Sequence, residues 1–103
     1  MQIIEDKISK NLFDEMLKSN RKIIALFHAN WSNVSNKFKK KFEELHQDQY
    51  KDIELIIIDG DKNLTLLRNL GIVQLPSVAE ITKSSFNKFD DFEISDIDKI
   101  LRS

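Results

Sequence analysis

Two serines three residues apart frame the segment Trp31-Ser32-Asn33-Val34-Ser35, and a histidine, His28, stands four residues before the first of them. A serine hydroxyl beside an imidazole can support acyl transfer, because the ring takes the proton as the oxygen attacks. That chemistry needs the ring within about 3 Å of the oxygen and a third group to orient it. His28 stands four residues earlier on a strand, so a hydrolytic Ser32–His28 pair is not the expectation. A serine at the start of a helix ordinarily serves as its N-cap, the oxygen accepting an N–H of the first turn, and capping is the expectation for Ser32.

Other chemistry is limited by what the chain contains. It has no cysteine, which removes disulfides, thiolate metal sites and thiol catalysis together. His28 and His46 lie in different segments and make no metal-ligand spacing. Asp59, Asp61 and Asn63 alternate in a way that superficially suggests a cation loop. They fall short of the six to eight oxygens that calcium takes, so turn and helix capping is expected there. The run Lys37, Lys39, Lys40, Lys41 reads as a solvated helix face, with attraction of acidic partners as its functional alternative.

The elements that must position these residues fit one domain spanning 1–103. Apolar residues make up 41% and charged residues 32%, ordinary values for a globular chain. A net charge of -1 argues against a nucleic-acid binder that works by phosphate neutralisation. The longest apolar runs are too short to span a bilayer, and no basic segment leads into an apolar stretch at the N-terminus, so a cytoplasmic protein is expected.

Periodicity predicts a short strand over 2–4, then a helix over 9–18 with an apolar stripe of Leu12, Phe13, Met16 and Leu17. Residues 22–28, KIIALFH, read as a buried central strand, and a second such strand follows over 53–58. Between them lies a helix over 34–49 with Val34, Phe38, Phe42 and Leu45 on one side. A third helix, capped by Asp61 or Asn63, runs to about Leu70 and stops at Gly71. A strand over 78–81, a turn over 82–85, an edge strand over 86–92 and a terminal helix through Ile94, Ile97, Ile100 and Leu101, capped by Ser95, complete the order. Three β-α units followed by β-β-α imply a mixed α/β sheet with helices on both faces.

This order, with two sequence signatures, resembles the thioredoxin family over nearly the whole chain. The first signature is the family's aromatic-rich strand and Trp-Cys-x-x-Cys helix start, here Phe27-His28-Ala29-Asn30-Trp31-Ser32-Asn33-Val34-Ser35. The second is an aspartate-bearing strand end, a short helix and Gly-Ile-x-x-x-Pro. Here these are Ile58-Asp59-Gly60-Asp61 and Gly71-Ile72-Val73-Gln74-Leu75-Pro76. The resemblance implies a thioredoxin fold, a cis bond before Pro76, no cofactor, and a protein or extended peptide as partner. It implies peptide binding at Trp31, Leu75 and Pro76, with Asn33 and Val34 flanking the motif.

The departures from the family pattern carry the functional information. The family cysteines correspond to Ser32 and Ser35, its buried acid to Leu26, and the proline between the cysteines to Val34. Glycines usual in the later hairpin and before the last helix are missing, with Ser84 and a glycine-free stretch around Phe92 in their place. A dithiol reaction needs an attacking thiolate and a resolving thiol, and serine hydroxyls supply neither. Two readings remain at this stage. One is a natural cysteine-free binding or scaffold protein. The other is a thiol-disulfide oxidoreductase with both cysteines replaced by serine, for which thioredoxin reductase would be a partner of the cysteine-bearing parent.

Overall fold

The two longest apolar runs become the two central strands. In the computed structural model, which describes residues 2–9, 11–45, 52–89, 93–96 and 99, β1 spans Gln2–Ile4, β2 Lys22–His28 and β3 Ile53–Asp59. β4 spans Ser77–Ile81 and β5 Phe86–Lys88. The sheet order is β1-β3-β2-β4-β5. β2 lies parallel to β3, pairing Lys22 with Ile53 and His28 with Asp59, and β1 lies parallel on the far side of β3. β4 runs antiparallel to β2, with Leu26 opposite Val78, and β5 closes the hairpin.

Alternation along these strands sorts the core into two layers. Ile23, Ala25 and Phe27 of β2, with Ile56 and Ile58 of β3, face α1 (Leu12–Leu17) and α3 (Leu64–Asn69), meeting Met16, Leu17 and Leu67. Ile24 and Leu26, with Ile53, Leu55 and Ile57, face α2 (Asn33–Glu43) through Phe38 and Phe42. Both faces of β2 are covered, so all seven of its residues are buried, Lys22 and His28 included. This is the thioredoxin fold: a mixed sheet with helices on both faces.

Several element boundaries differ from the periodicity. α1 begins at Leu12, where the Leu12 N–H bonds the Ser9 carbonyl. α2 begins at Asn33 and ends at Glu43, with Glu44 as C-cap; residues 46–49, expected to extend it, lie outside the described residues. Val34, expected on the core side of this helix, is exposed, and the inward stripe is Ser35, Phe38 and Phe42. β4 starts one residue earlier than expected, at Ser77. β5 ends at Lys88, the Phe89 N–H still reaching the Val78 carbonyl, and residues 90–92 lie outside the description.

Near the C-terminus, Ile94–Asp96 forms a 3-10 turn in which the Asp96 carboxylate accepts the Glu93 N–H. Ser95 lies within that turn, and Ile97, Ile100 and Leu101 lie outside the described residues.

Asn63 holds the N-cap position of α3 without capping it. Its side-chain oxygen accepts the Ile8 N–H, and its amide donates to the carbonyls of Asp6 and Asp59. A buried amide thereby fastens the β1–α1 loop to the end of β3. Gly71 ends α3 at φ 76, where its N–H meets the Arg68 carbonyl and the Ile72 N–H meets that of Leu67.

Candidate functional site

The carboxyl ends of β2 and β3 and the amino end of β4 meet at one edge of the sheet, where open α/β sheets commonly place their sites. β2 delivers Trp31 and Ser32 to this edge, β3 delivers Asp59-Gly60-Asp61, and the approach to β4 delivers Gln74, Leu75 and Pro76. Gly60 lets these three segments close on one another. Its N–H donates to the His28 carbonyl at 2.7 Å, and a Cβ there would lie 2.6 Å from a Leu75 methyl and 3.2 Å from that carbonyl.

Ser32 is the N-cap of α2. Its backbone is extended at φ -100 and ψ 123, and its Oγ accepts the Ser35 N–H at 3.2 Å. The lysines of this helix fall in its later turns, with Lys40 and Lys41 in the last, where cations favour the helix dipole.

The imidazole meets the second serine and not the first. Ser35 Oγ lies 2.7 Å from His28 Nδ1 and accepts the Ala29 N–H at 2.9 Å. His28 Nε2 lies 2.8 Å from Asn30 Oδ1. An amide oxygen only accepts, so Nε2 donates to Asn30, and in the neutral ring this leaves Nδ1 to accept the Ser35 hydroxyl proton. The order hydroxyl, imidazole, amide has the connections of a hydrolytic triad, but Ser35 is 0% exposed and His28 3%. A substrate carbonyl cannot approach that oxygen, so the chain of hydrogen bonds fixes the turn between β2 and α2 and performs no attack. Among the described residues every buried side-chain nitrogen and oxygen has a partner.

Residues 28 and 30 were not linked to Ser35 by sequence reasoning. The signal was available in the period of two: His28 follows Ile24 and Leu26 on the strand face that α2 covers. Leu26, at the position of the family's acid, is fully buried against α2 and brings no charge to the site.

The outer surface is different in character. Trp31 is 72% exposed, and its indole N–H donates to Asp61 Oδ1 at 3.3 Å. Asp59 Oδ1 in turn accepts the N–H groups of Asp61 and Lys62, so the aspartates and Asn63 serve the turn. Among the described residues no three His, Asp or Glu side chains converge as a metal site.

The Leu75–Pro76 bond is cis, and the Ser77 hydroxyl donates to the Gln74 carbonyl at 2.6 Å. Among the described residues none hydrogen-bonds the backbone N–H or C=O of Leu75. Two grooves flank this loop. One, of about 700 Å³, lies between Ser32, Val34 and Pro76 on one side and Lys88 and Phe89 on the other. The second, about 680 Å³, runs between Trp31 and α3 past Leu64, Arg68 and Val73. Asn33, exposed on the first turn of α2, lines neither groove.

Comparison with known proteins agrees with this fold. The thioredoxin family model matches residues 5–100. No curated protein sequence matches the chain. Among solved structures, the thioredoxin of Plasmodium falciparum is similar over 99% of this chain and 97% of its own, at 17% identity and a TM-score of 0.79. The thioredoxin of Fasciola hepatica is similar over the same shares, at 16% identity and 0.79. Human ERp44 in its zinc-bound form matches 96% of this chain at 14% identity and 0.76, and the chain spans only 31% of that protein's length. At these identities the likeness is one of fold.

Proposed function

Because the chain belongs to the thioredoxin family and has no cysteine, we propose that it is a redox-inactive thioredoxin-like binding or scaffold protein. Its recognition surface is the one around Trp31, Leu75 and Pro76. The observation that carries this reading is the contrast between the inner and outer halves of the motif. Inside, Ser35 is committed to His28 and Ala29; outside, Trp31 is exposed beside a Leu75 backbone whose N–H and C=O have no hydrogen-bond partner among the described residues. An extended peptide can pair with such a backbone edge while an apolar side chain lies on the indole.

The inner network also favours serine as the residue this environment is built for. A thiol is a weak donor and a weak acceptor, with a longer bond and a larger atom. In place of the Ser35 hydroxyl it would satisfy the Ala29 N–H and His28 Nδ1 poorly. That weighs against a parent protein with cysteine at position 35.

The test is titration of the protein with a panel of extended peptides, followed by indole fluorescence and backbone amide shifts. A binding peptide is expected to change Trp31 emission and to shift the amides around residues 74–77. Unchanged emission and unchanged shifts across the panel would sink the reading.

A further inference from the structure

A dithiol protein can hold its partner by a mixed disulfide. Without thiols, affinity and selectivity must come from surface contacts alone, which makes the second groove consequential. Its exposed walls are largely apolar: Trp31, Leu64 at 59% and Val73 at 87% exposure. Arg68, in the last turn of α3, lines the same groove and is exposed. Among the described residues no carboxylate pairs with its guanidinium. Asp61, the one acid in the lining among the described residues, already accepts the Trp31 indole N–H.

A cation with no carboxylate partner among the described residues, set among exposed apolar side chains, is complementary to a segment that offers a carboxylate next to an apolar residue. We propose that this groove binds an extended segment of a partner protein in which an acidic side chain neighbours an apolar one. The carboxylate pairs with Arg68, and the apolar side chain lies across Trp31 and Val73. The planar guanidinium suits this role because it can hold a carboxylate through two parallel N–H bonds. Apolar neighbours raise the worth of that pair by excluding water around it. The inference rests on the peptide-binding reading above and adds to it the chemistry of the partner.

The bland alternative for Arg68 is a favourable interaction with the C-terminal end of α3, which would affect stability and not selectivity. A phage-displayed random heptapeptide library panned against the immobilised full chain separates the two. Wild type, Arg68→Gln, Arg68→Glu and Trp31→Ala are compared in parallel. On wild type, the enriched peptides should carry Asp or Glu beside an apolar residue several-fold more often than the starting library. Arg68→Gln should abolish that bias, and Arg68→Glu should replace it with Lys or Arg. A synthetic enriched peptide should bind the Arg68→Gln variant about tenfold more weakly, with its Tm within a degree or two of wild type.

Peptides that depend on Trp31 but show no acidic bias would overturn this inference and leave the binding reading standing. An acidic bias that survives Arg68→Gln would overturn it too. Failure of any peptide to enrich on wild type would overturn both.

Discussion

Ser35 touches two groups that have no other partner among the described residues, the Ala29 N–H and His28 Nδ1. Removing the hydroxyl strands both in a fully buried position, and each unsatisfied buried group costs about 1–3 kcal/mol. Ser35→Ala should therefore lower the unfolding free energy by about 2 kcal/mol or more, measured by urea denaturation. Ser35→Cys, under reducing conditions, should also destabilise, by about 1–2 kcal/mol, because the thiol bonds weakly and must fit a site that encloses an oxygen. Equal or greater stability of the cysteine variant would mean that the site was shaped for sulfur. Ser32 is different: it is half-exposed and makes one cap bond, so Ser32→Ala should cost only about 0.5–2 kcal/mol.

At the scale of elements, the apolar runs at 22–28 and 53–58 announced the central strands because a strand covered on both faces has no room for alternation. The fall of Gly71 after the third helix was equally plain, since a positive φ there suits glycine. Side chains that bridge elements were not legible. Asn63 reads as a cap from its neighbours, yet it spends its donors and acceptor on Asp6, Ile8 and Asp59, partners defined only once β1 lies beside β3. Asn63→Ala should cost about 1–3 kcal/mol and loosen hydrogen-exchange protection in both bridged loops. Val34 misled for a related reason: helical spacing placed it with Phe38, but the first turn of α2 overhangs the open groove beside Pro76.

Lys22 shows the same limit, being a lysine in a strand that buries all its residues. Its ammonium meets Glu80 Oε2 at 3.3 Å across the β2–β4 pair. Glu80→Ala should destabilise by about 1–3 kcal/mol, because the buried cation loses that carboxylate while the partial exposure of Glu80 moderates the loss. A urea midpoint indistinguishable from wild type would contradict this.

Across the whole molecule, the family signatures at 27–35 and 71–76 made the architecture readable at a level of identity where sequence comparison with the solved thioredoxins of Plasmodium falciparum and Fasciola hepatica gives only 16–17%. Trp31 and Leu75–Pro76, the outline of the proposed site, could be named from the sequence because those residues sit in the motifs themselves. Its inner lock and Arg68 were not, since they depend on which faces the fold brings together. Among the described residues no helix is long and apolar enough to cross a membrane. A chain with no sulfur couple is expected to give no turnover in an insulin disulfide-reduction assay, whatever its concentration.

If the serines leave a binding surface in place of a reactive centre, as proposed above, extended peptides must perturb it. The most direct measurement is a backbone amide NMR titration of the full chain with extended peptides, run beside the Trp31→Ala variant. Saturable shifts are expected at the Trp31 indole and through residues 73–77, strongly weakened in the variant. A spectrum that no peptide disturbs, or shifts confined to another face and indifferent to Trp31→Ala, would contradict it.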